Sequence, residues 1–344
     1  MKRIAIIACD NGLGHVRRCY LIGLELAKKG VLVELFAPKK SFEKFKSLFE
    51  SHAGLKNINF STGTSSGRLL QLDPFSLNWH CRLPDMSIYD EVVSDNLPEI
   101  LYVRPDAILS GHFFWHEDLE GISTGYKQDC QELIELHKPI VMATELFAST
   151  TLCSLKNFIP VGLYIYGNQN IDVLKGDALL ITGGATSSLR VEMQRLVQFF
   201  ILNGPGRFTT IYVDSALMFQ SSEVKDDKGL PEWMELATYD VAMYKRVLVA
   251  ICRPGVGTIT DLLQYGGKAY CVYESGNKEM LVNARRLEKR GLGVSVGDPR
   301  SIEQFASTLD KYGDGDRVKF SKSLNVLHFD GVSKAAMVIL GDLM

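Results

Sequence analysis

The sequence predicts an α/β protein with two Rossmann-like domains, each a doubly wound parallel sheet, facing each other across a cleft. Short β-branched apolar runs alternate with helical patterns in both halves of the chain. Two glycine-rich turns, residues 12–18 and 253–258, each follow such a run and precede a helical pattern. The 344 residues exceed the length at which one core stops growing, roughly 250 to 300 residues, which favours two domains. A ligand held between the two turns is therefore expected.

The first domain is predicted at residues 1–158. Residues 3–8 form its first strand, apolar residues at helical spacing predict a helix that starts near Val16 and ends before Gly30, and residues 31–36 form the next strand. The later elements are a helix at 42–52, strands at 57–60, 106–110 and 139–143, and a helix at 129–137. Residues 61–90 contain several glycines and prolines and are expected to form loops.

A connection rich in glycine and proline is predicted at residues 159–176. The second domain then spans residues 177–344, and its last helix can pack back on the first domain. Its strands are predicted at 177–182, 209–213, 247–252 and 268–272, and its helices at 189–202, 258–264 and 278–290.

Composition narrows the class of protein. The chain is 46% apolar and carries 38 basic against 40 acidic residues, so its charge does not indicate nucleic acid as a partner. The seven cysteines include no Cys-x-x-Cys pair and are typical of a reduced, cytoplasmic protein. The apolar run at residues 4–9 is too short for a signal peptide, and no run of 18 apolar residues predicts a membrane span.

The first glycine-rich turn reads GLGHVRR from residue 12 to residue 18. Gly12 and Gly14 let the backbone approach a bound group, and the start of the following helix favours an anion. His15 lies in the first turn of that helix, where a neutral imidazole is favoured over a cation, so it suits a general base. A capping or structural histidine is the alternative. Arg18, one turn later, can bind a phosphate or be a solvated charge on the helix face.

A second polar group follows the strand that ends at residue 110. His112, Trp115 and His116 are candidates for an acceptor platform at the carboxyl edge of the sheet. Glu117 and Asp118 lie beside them and offer a carboxylate that can orient His15. A metal site is not expected there, because three ligands in a fixed arrangement are not evident.

Two further segments have a functional and a structural interpretation. Asp314-Gly315-Asp316 matches the Asp-x-Asp of metal-dependent transferases, but its setting favours a turn. Residues 39–49 predict an amphipathic helix with four lysines, which either packs on the sheet or rests on an anionic membrane surface. For residues 39–49, the sequence leaves open whether the helix packs on the sheet or contacts a membrane.

Three segments, residues 12–18, 183–188 and 249–261, resemble the GT-B glycosyltransferases, especially the peptidoglycan N-acetylglucosaminyltransferases of the family 28 type. Residues 274–291 fit the next element of that family. The resemblance implies that Asp261 binds the ribose hydroxyls and that Asn277, Glu279 and Asn283 contact the donor sugar. The phosphate-binding residues that it implies, with those of the first turn, are Gly12, Gly14, Gly183, Gly184, Thr186, Ser187, Arg253, Gly255, Gly257 and Thr258.

The resemblance also implies a reaction. An inverting, metal-independent transferase would move a sugar from a nucleotide donor, expected to be UDP-linked, to a hydroxyl acceptor with His15 as the base. The acceptor implied is a sugar or a lipid-linked glycan in bacterial surface-glycan assembly, at or near the inner face of the membrane. No cofactor is expected. Two alternatives remain: a UDP-sugar hydrolase of the same architecture, as in pseudaminic acid synthesis, and a nucleotide-sugar binder without turnover.

Overall fold

A computed structural model describes the chain in ten segments and one isolated position: residues 1–10, 13–37, 55–61, 78–114, 124–167, 176–183, 189–218, 230–274, 276–297, 309 and 314–343. The chain divides into two compact units. Unit 1 comprises Met1–Tyr166 and His328–Met344, and unit 2 comprises Gly167–Leu327. In the described residues, each unit contains a sheet of parallel strands with helices, so the predicted α/β class is confirmed.

Unit 1 contains a seven-stranded sheet with the order β3-β2-β1-β4-β5-β6-β7. Its strands are β1 (Arg3–Ile7), β2 (Leu32–Phe36), β3 (Ile58–Ser61), β4 (Glu91–Asp95), β5 (Ile108–Ser110), β6 (Val141–Thr144) and β7 (Phe158–Val161). The chain builds the sheet outward from β1 in one direction and then crosses to the other side at β4. In open α/β sheets, ligands bind beyond the carboxyl ends of the strands at such a reversal. The ends of β1 and β4 are therefore the expected site in this unit.

Unit 2 repeats this topology with six strands in the order β10-β9-β8-β11-β12-β13. They are β8 (Ala178–Thr182), β9 (Thr210–Val213), β10 (Met234–Leu236), β11 (Val247–Cys252), β12 (Lys268–Val272) and β13 (Gly293–Gly297). Here the strand order reverses between β8 and β11. The glycine-rich segments 183–188 and 253–258 directly follow these two strands.

The helices in the described residues are α1 (Leu13–Lys28), α2 (Thr124–His137), α3 (Thr150–Ser154), α4 (Arg190–Asn203), α5 (Val241–Arg246), α6 (Val256–Gln264), α7 (Lys278–Lys289), α8 (Asp314–Leu324) and α9 (Gly331–Leu340). Helix α1 buries residues three and four positions apart, among them Cys19, Ile22 and Leu26. It packs on β1, β2 and β3 and against α9. This packing anchors the start of α1 at the end of β1.

The C-terminal segment returns to unit 1 after the chain has completed unit 2. The Leu163 amide donates to the His328 carbonyl over 2.8 Å, and the Gly162 amide donates to Asp330 Oδ1 over 3.1 Å. A Cβ atom at Gly162 would lie only 2.5 Å from the His328 carbonyl oxygen. Only glycine permits so close an approach of two backbones.

The observed elements differ from the sequence expectation at several places. Strand β4 begins just after the stretch expected to be loop, and β7 lies within the expected connection, so unit 1 extends to Tyr166. Strand β7 contains Pro160, which an edge strand tolerates because one side needs no ladder hydrogen bond. Strands β10 and β13 were also not expected. The predicted helix at 42–52 and the lysine-rich segment 39–49 lie outside the described residues.

No helix in the described parts of the chain is both long enough and apolar enough to cross a membrane.

Candidate active site

His15 and Asp95 meet at the strand reversal of unit 1. His15 lies in the first turn of α1, just after β1, and Asp95 is the last residue of β4. The His15 Nδ1 atom lies 2.5 Å from Asp95 Oδ1. The His15 side chain is 14% exposed and the Asp95 side chain is fully buried. One edge of the imidazole is therefore fixed inside the protein while part of the ring remains accessible.

Arg18 binds both oxygens of the same carboxylate. Its Nε atom donates to Asp95 Oδ2 over 2.7 Å, and its Nη2 atom donates to Asp95 Oδ1 over 2.8 Å. Paired N–H groups of this kind match the geometry of a carboxylate and are among the stronger hydrogen bonds in proteins. Arg18 is only 6% exposed. It is thus neither the solvated helix charge nor the phosphate ligand that the sequence suggested.

His112 completes the cluster from the segment after β5. Its Nε2 atom lies 2.5 Å from Arg18 Nη1, and the residue is 5% exposed. A guanidinium has only donors, so His112 Nε2 must accept and carry no proton. The sequence proposed His112 for acceptor binding, but the structure places this nitrogen on Arg18. We call the four side chains His15, Asp95, Arg18 and His112 the buried cluster.

The contacts assign the proton on His15. Asp95 is held as a carboxylate, which only accepts, so the short contact requires that His15 Nδ1 carry the hydrogen. Arg18 Nη2 lies 3.3 Å from the same nitrogen, but both atoms are donors, and this approach is not a hydrogen bond. The remaining nitrogen, Nε2, then carries the lone pair. A neutral imidazole oriented by a carboxylate in this way is suited to accept a proton.

The electrostatics of the buried cluster favour an ionised Asp95. Burial by itself would raise the pKa of this carboxyl, but the charge of Arg18, the electrostatic interaction with His15 and the hydrogen bonds from both lower it below its usual value. Burial lowers the pKa of Arg18, but other groups, chiefly the charge of Asp95, raise it above its usual value. Asp95 and Arg18 therefore stabilise each other's charged forms.

Several residues that the sequence suggested for this region are not among the described residues. Gly12, Trp115, His116 and the two carboxylates proposed to orient His15, Glu117 and Asp118, lie outside the described residues. Asp95 was missed in the sequence. Its signal was the β-branched pair Val92-Val93, followed two residues later by an acidic residue and preceded by the stretch expected to be loop.

In unit 2, the first glycine-rich segment follows β8. A Cβ atom at Gly183 would meet the Leu217 and Met193 side chains at 3.4 and 3.5 Å, which shows a close but not forbidden packing. Beside it, the Thr182 hydroxyl donates to Asp214 Oδ2 over 3.1 Å and accepts from the Tyr239 hydroxyl over 3.0 Å. Gly184, Thr186 and Ser187 are outside the described part of the chain.

The second glycine-rich segment of unit 2 follows β11 and opens α6. Gly255 is the N-cap residue of α6, and it has no side chain that could cap the helix. A Cβ atom there would meet nothing within 4 Å, so the backbone is open to approach. Gly257 and Thr258 lie in the first turn of α6, and Asp261 lies in the second turn and is half-buried. The first N–H groups of a helix are available to an anion in such an arrangement.

Two side chains brace this segment. Asn283 on α7 is 3% exposed, and its Nδ2 atom donates to the Pro254 carbonyl over 3.1 Å. Arg253 Nη2 lies 3.3 Å from Glu274 Oε2, just after β12. The structure therefore uses the Asn283 amide to hold the turn, whereas the resemblance implied a contact with the donor sugar.

The comparisons with known proteins agree with this architecture. Residues 178–334 match the model of the glycosyltransferase family 28 C-terminal domain. The chain is a glycosyltransferase of the GT-B fold. No curated protein matches its sequence.

Solved structures resemble this glycosyltransferase over its whole length. Arabidopsis thaliana UGT89C1 complexed with UDP shares 13% identity, with a TM-score of 0.69 over 98% of this chain and 99% of the other. The calicheamicin glycosyltransferase CalG4 shares 14% identity, with a TM-score of 0.66 over 99% of both chains. Acinetobacter baumannii MurG shares 15% identity, with a TM-score of 0.59 over 99% and 100%. At these identities the likeness concerns the fold.

The remaining expected residues of this glycosyltransferase lie at helix starts. Asn277 caps α7, since its Oδ1 atom accepts from the Met280 amide over 3.1 Å, and Glu279 lies in the first turn of α7. Asp314 and Asp316 were expected in a turn but lie in the first turn of α8. Within the described residues, no three His, Cys, Asp or Glu side chains are grouped so that they can hold a metal ion.

Proposed function

We propose that the enzyme transfers a sugar from a UDP-sugar to a hydroxyl acceptor, with inversion at the anomeric carbon and without a metal ion. The observation that carries the proposal is the pairing of His15 Nδ1 with Asp95, which leaves Nε2 as a proton acceptor on a partly exposed ring. Glycosyl transfer to a hydroxyl needs such a base, because the attacking oxygen must lose its proton.

The step is a single displacement. His15 Nε2 takes the proton of the acceptor hydroxyl while the oxygen forms a bond to the anomeric carbon of the donor. The bond from that carbon to the diphosphate breaks at the same time, and UDP leaves with the electron pair. Asp95 then stabilises the imidazolium that forms on His15, and Arg18 keeps Asp95 ionised. One displacement on one face inverts the configuration.

Unit 2 is proposed to bind the donor. The open backbone at Gly255 and the first N–H groups of α6 are suited to the negative charge that grows on the leaving diphosphate. Asp261 is proposed to bind the ribose hydroxyls, and the segments at Gly14 and Gly183 are proposed to contribute to phosphate binding. A uridine donor is supported by the solved structures of UGT89C1, which are complexed with UDP and UDP-L-rhamnose.

The acceptor is proposed to be a sugar or lipid-linked glycan in bacterial surface-glycan assembly. Support comes from the resemblance to the peptidoglycan family and from MurG among the similar structures. Peripheral contact with the inner face of a membrane belongs to the same proposal.

The test is turnover with a panel of UDP-sugars and sugar acceptors, with the anomeric configuration of the product read by NMR. We expect inversion, no loss of rate in excess EDTA, and a decrease of about 100-fold or more in His15→Ala with nearly unchanged UDP affinity. His137→Ala, at the end of α2, is the matched control and should retain its rate. Stoichiometric release of free sugar without acceptor would instead identify a hydrolase.

A further inference from the structure

The Arg18–Asp95 ion pair is buried, which its contribution to stability does not by itself explain. Asp95 is inaccessible and Arg18 is 6% exposed, although each charge loses its hydration when it is buried. Replacing such a pair by well-packed apolar residues is often neutral or stabilising, so a buried pair is weak evidence for stability. Here the pair contacts the proposed base directly, which suggests a role in setting the state of that base.

The hydrogen bonds leave Asp95 little freedom. Arg18 binds Oδ2 through Nε and Oδ1 through Nη2, and His15 binds Oδ1 as well. Rotation of the carboxylate would break the paired bonds, so Oδ1 stays directed at His15 Nδ1. This arrangement keeps one tautomer of His15, with its proton on Nδ1.

His112, like Asp95, accepts a hydrogen bond from the Arg18 guanidinium. It accepts from Nη1, the guanidinium nitrogen that Asp95 does not bind. It also packs edge-on against Phe147, with ring centroids 6.0 Å apart, so that its own ring is held. The far side of the guanidinium is thereby fixed.

We propose that Arg18 and His112 are positioning residues: Arg18 holds the Asp95 carboxylate ionised and directed at His15, and His112 holds Arg18. The inference rests on the proposed function of His15 as the base. It assigns a shared task to side chains from α1, β4 and the segment after β5, which come together only in the folded unit.

The groups that face Arg18 determine how the site responds to pH. They are Asp95 from β4, His112 from the segment after β5, Tyr164 from the segment after β7, and His15 and Cys19 from α1, with Cys9 beside Cys19. Burial raises the pKa of the Cys19 thiol and of the Tyr164 hydroxyl, so both stay protonated near neutral pH. Neither of these two groups therefore contributes to a pH response near neutrality.

The first test compares pH profiles of kcat/KM. Arg18→Gln removes a positive charge 3.3 Å from His15 Nδ1, which favours the imidazolium, so the acidic limb should move to higher pH by about half a unit or more. Its kcat should fall about tenfold or more, with the donor KM within about threefold. Arg18→Lys keeps the charge but loses the paired bonds, so its kcat should fall while the acidic limb stays close to that of the wild type.

Arg104→Gln is the matched control. Arg104 also pairs with an aspartate through two bonds, to Asp106 at 2.6 and 3.2 Å, but it lies outside the buried cluster. Its profile should keep the acidic limb of the wild type. An Arg18→Gln profile that coincides with that of Arg104→Gln would overturn the inference.

A second pair of variants keeps the test decisive if Arg18→Gln does not fold. His112→Gln retains an acceptor for Arg18 Nη1, whereas His112→Phe does not. We expect kcat to fall about tenfold in His112→Phe and clearly less in His112→Gln, with the acceptor KM changed little in both. Equal increases in acceptor KM in the two variants would place His112 in acceptor binding and overturn its positioning role.

A spectroscopic measurement separates this inference from the proposed function. Imidazole ¹⁵N NMR of the wild-type chain should show His15 with its proton on Nδ1, and Arg18→Gln should show a mixture of tautomers. This readout does not depend on turnover. Full turnover in His15→Ala would defeat the proposed function, whereas an unchanged His15 tautomer in Arg18→Gln would defeat the positioning role alone.

Discussion

Asp95 and His15 are 80 residues apart in the chain, and their side chains are joined by a contact of 2.5 Å between Oδ1 and Nδ1. The cause is the order of the strands, since β4 pairs directly with β1 although β2 and β3 come between them in the sequence. The last residue of β4 therefore lies beside the first turn of α1. Parallel pairing thus supplies His15 with a carboxylate that its own segment does not contain.

Asp95→Asn should separate orientation from binding. The amide keeps the shape of the side chain but cannot fix the proton on His15 Nδ1, so we expect turnover to fall about 100-fold or more with UDP affinity within about threefold. Steady-state kinetics and calorimetric titration with UDP would measure the two effects. Asp342→Asn, which changes an exposed carboxylate near the end of the chain, is the control. Full turnover in Asp95→Asn would show that the contact between Asp95 and His15 has no part in catalysis.

The stability of the chain should depend on the ionisation of Asp95. Because the pKa of Asp95 is lowered in the folded state, its contribution is present above the pKa of the unfolded residue, about 3.9, and is lost as the pH falls through the folded value. Urea unfolding at pH values from about 6 downwards, in steps of about one unit, would measure this loss. The acid-induced decline should be shallower in Asp95→Asn than in Asp342→Asn. Parallel curves for the two variants would contradict the expectation.

Loss of the Arg18 charge should lower the free energy of unfolding of unit 1, in addition to its effect on turnover. Arg18→Met leaves Asp95 as a buried carboxylate without its main partner, which costs about 3 to 5 kcal/mol in the free energy of unfolding. The double variant Arg18→Met with Asp95→Leu removes both charges and should recover much of that stability without recovering turnover. Denaturant unfolding and kinetics on the same samples check both parts, and a double variant as unstable as the single one would be against a charge-based cause.

Asn283 should affect the nucleotide through the turn that it braces. Asn283→Ala leaves the buried Pro254 carbonyl without its donor, at a cost of about 1 to 3 kcal/mol in stability. Because the contact is to the turn, the affinities for UDP and for UDP-sugars should fall by the same factor. Asn203→Ala is the control, since its amide also donates to a backbone carbonyl, that of Phe199, but at an exposed helix end. A loss confined to UDP-sugars would indicate instead a direct contact with the sugar.

Gly162 should be essential for the attachment of the C-terminal segment. In Gly162→Ala the new Cβ would collide with the His328 carbonyl and with the Asp330 carboxylate, which also holds the Gly162 amide. We expect a loss of about 1 to 3 kcal/mol, seen as a lower melting temperature. Gly125→Ala, in α2 with nothing within 4 Å of the new Cβ, should be neutral or stabilising by up to about 1 kcal/mol. Equal melting temperatures for the two variants would show that the approach at Gly162 relaxes easily.

The fold class could be predicted from the sequence because it depends on local patterns of apolar residues. Runs such as 247–252 and 268–272 are short, apolar and β-branched, and the structure has strands at both places. Strands β4, β7, β10 and β13 were not predicted, because each has only three to five residues and lies next to loop-like or proline-containing sequence. Pairing with a neighbouring strand, rather than local propensity, made them strands.

The candidate site was only partly predictable. His15 stood out because a histidine directly after a strand and a glycine turn has few structural explanations, whereas nothing near Asp95 in the chain relates it to that turn. Arg18 was read as a solvated charge or a phosphate ligand, and the structure buries it against Asp95. A charged residue on a helix carries no local sign of which neighbour it will meet.

The sequence by itself determined the alternation of strands and helices, the two glycine-rich turns and the position of His15 at a helix start, because these depend on residues near one another in the chain. The tertiary structure alone decided that β4 lies beside β1, that Asp95 receives both His15 and Arg18, and that Asn283 braces the second turn. The physical reason is that buried charges and amides select their partners by distance and orientation in the packed core, and those partners come from residues far apart in the chain.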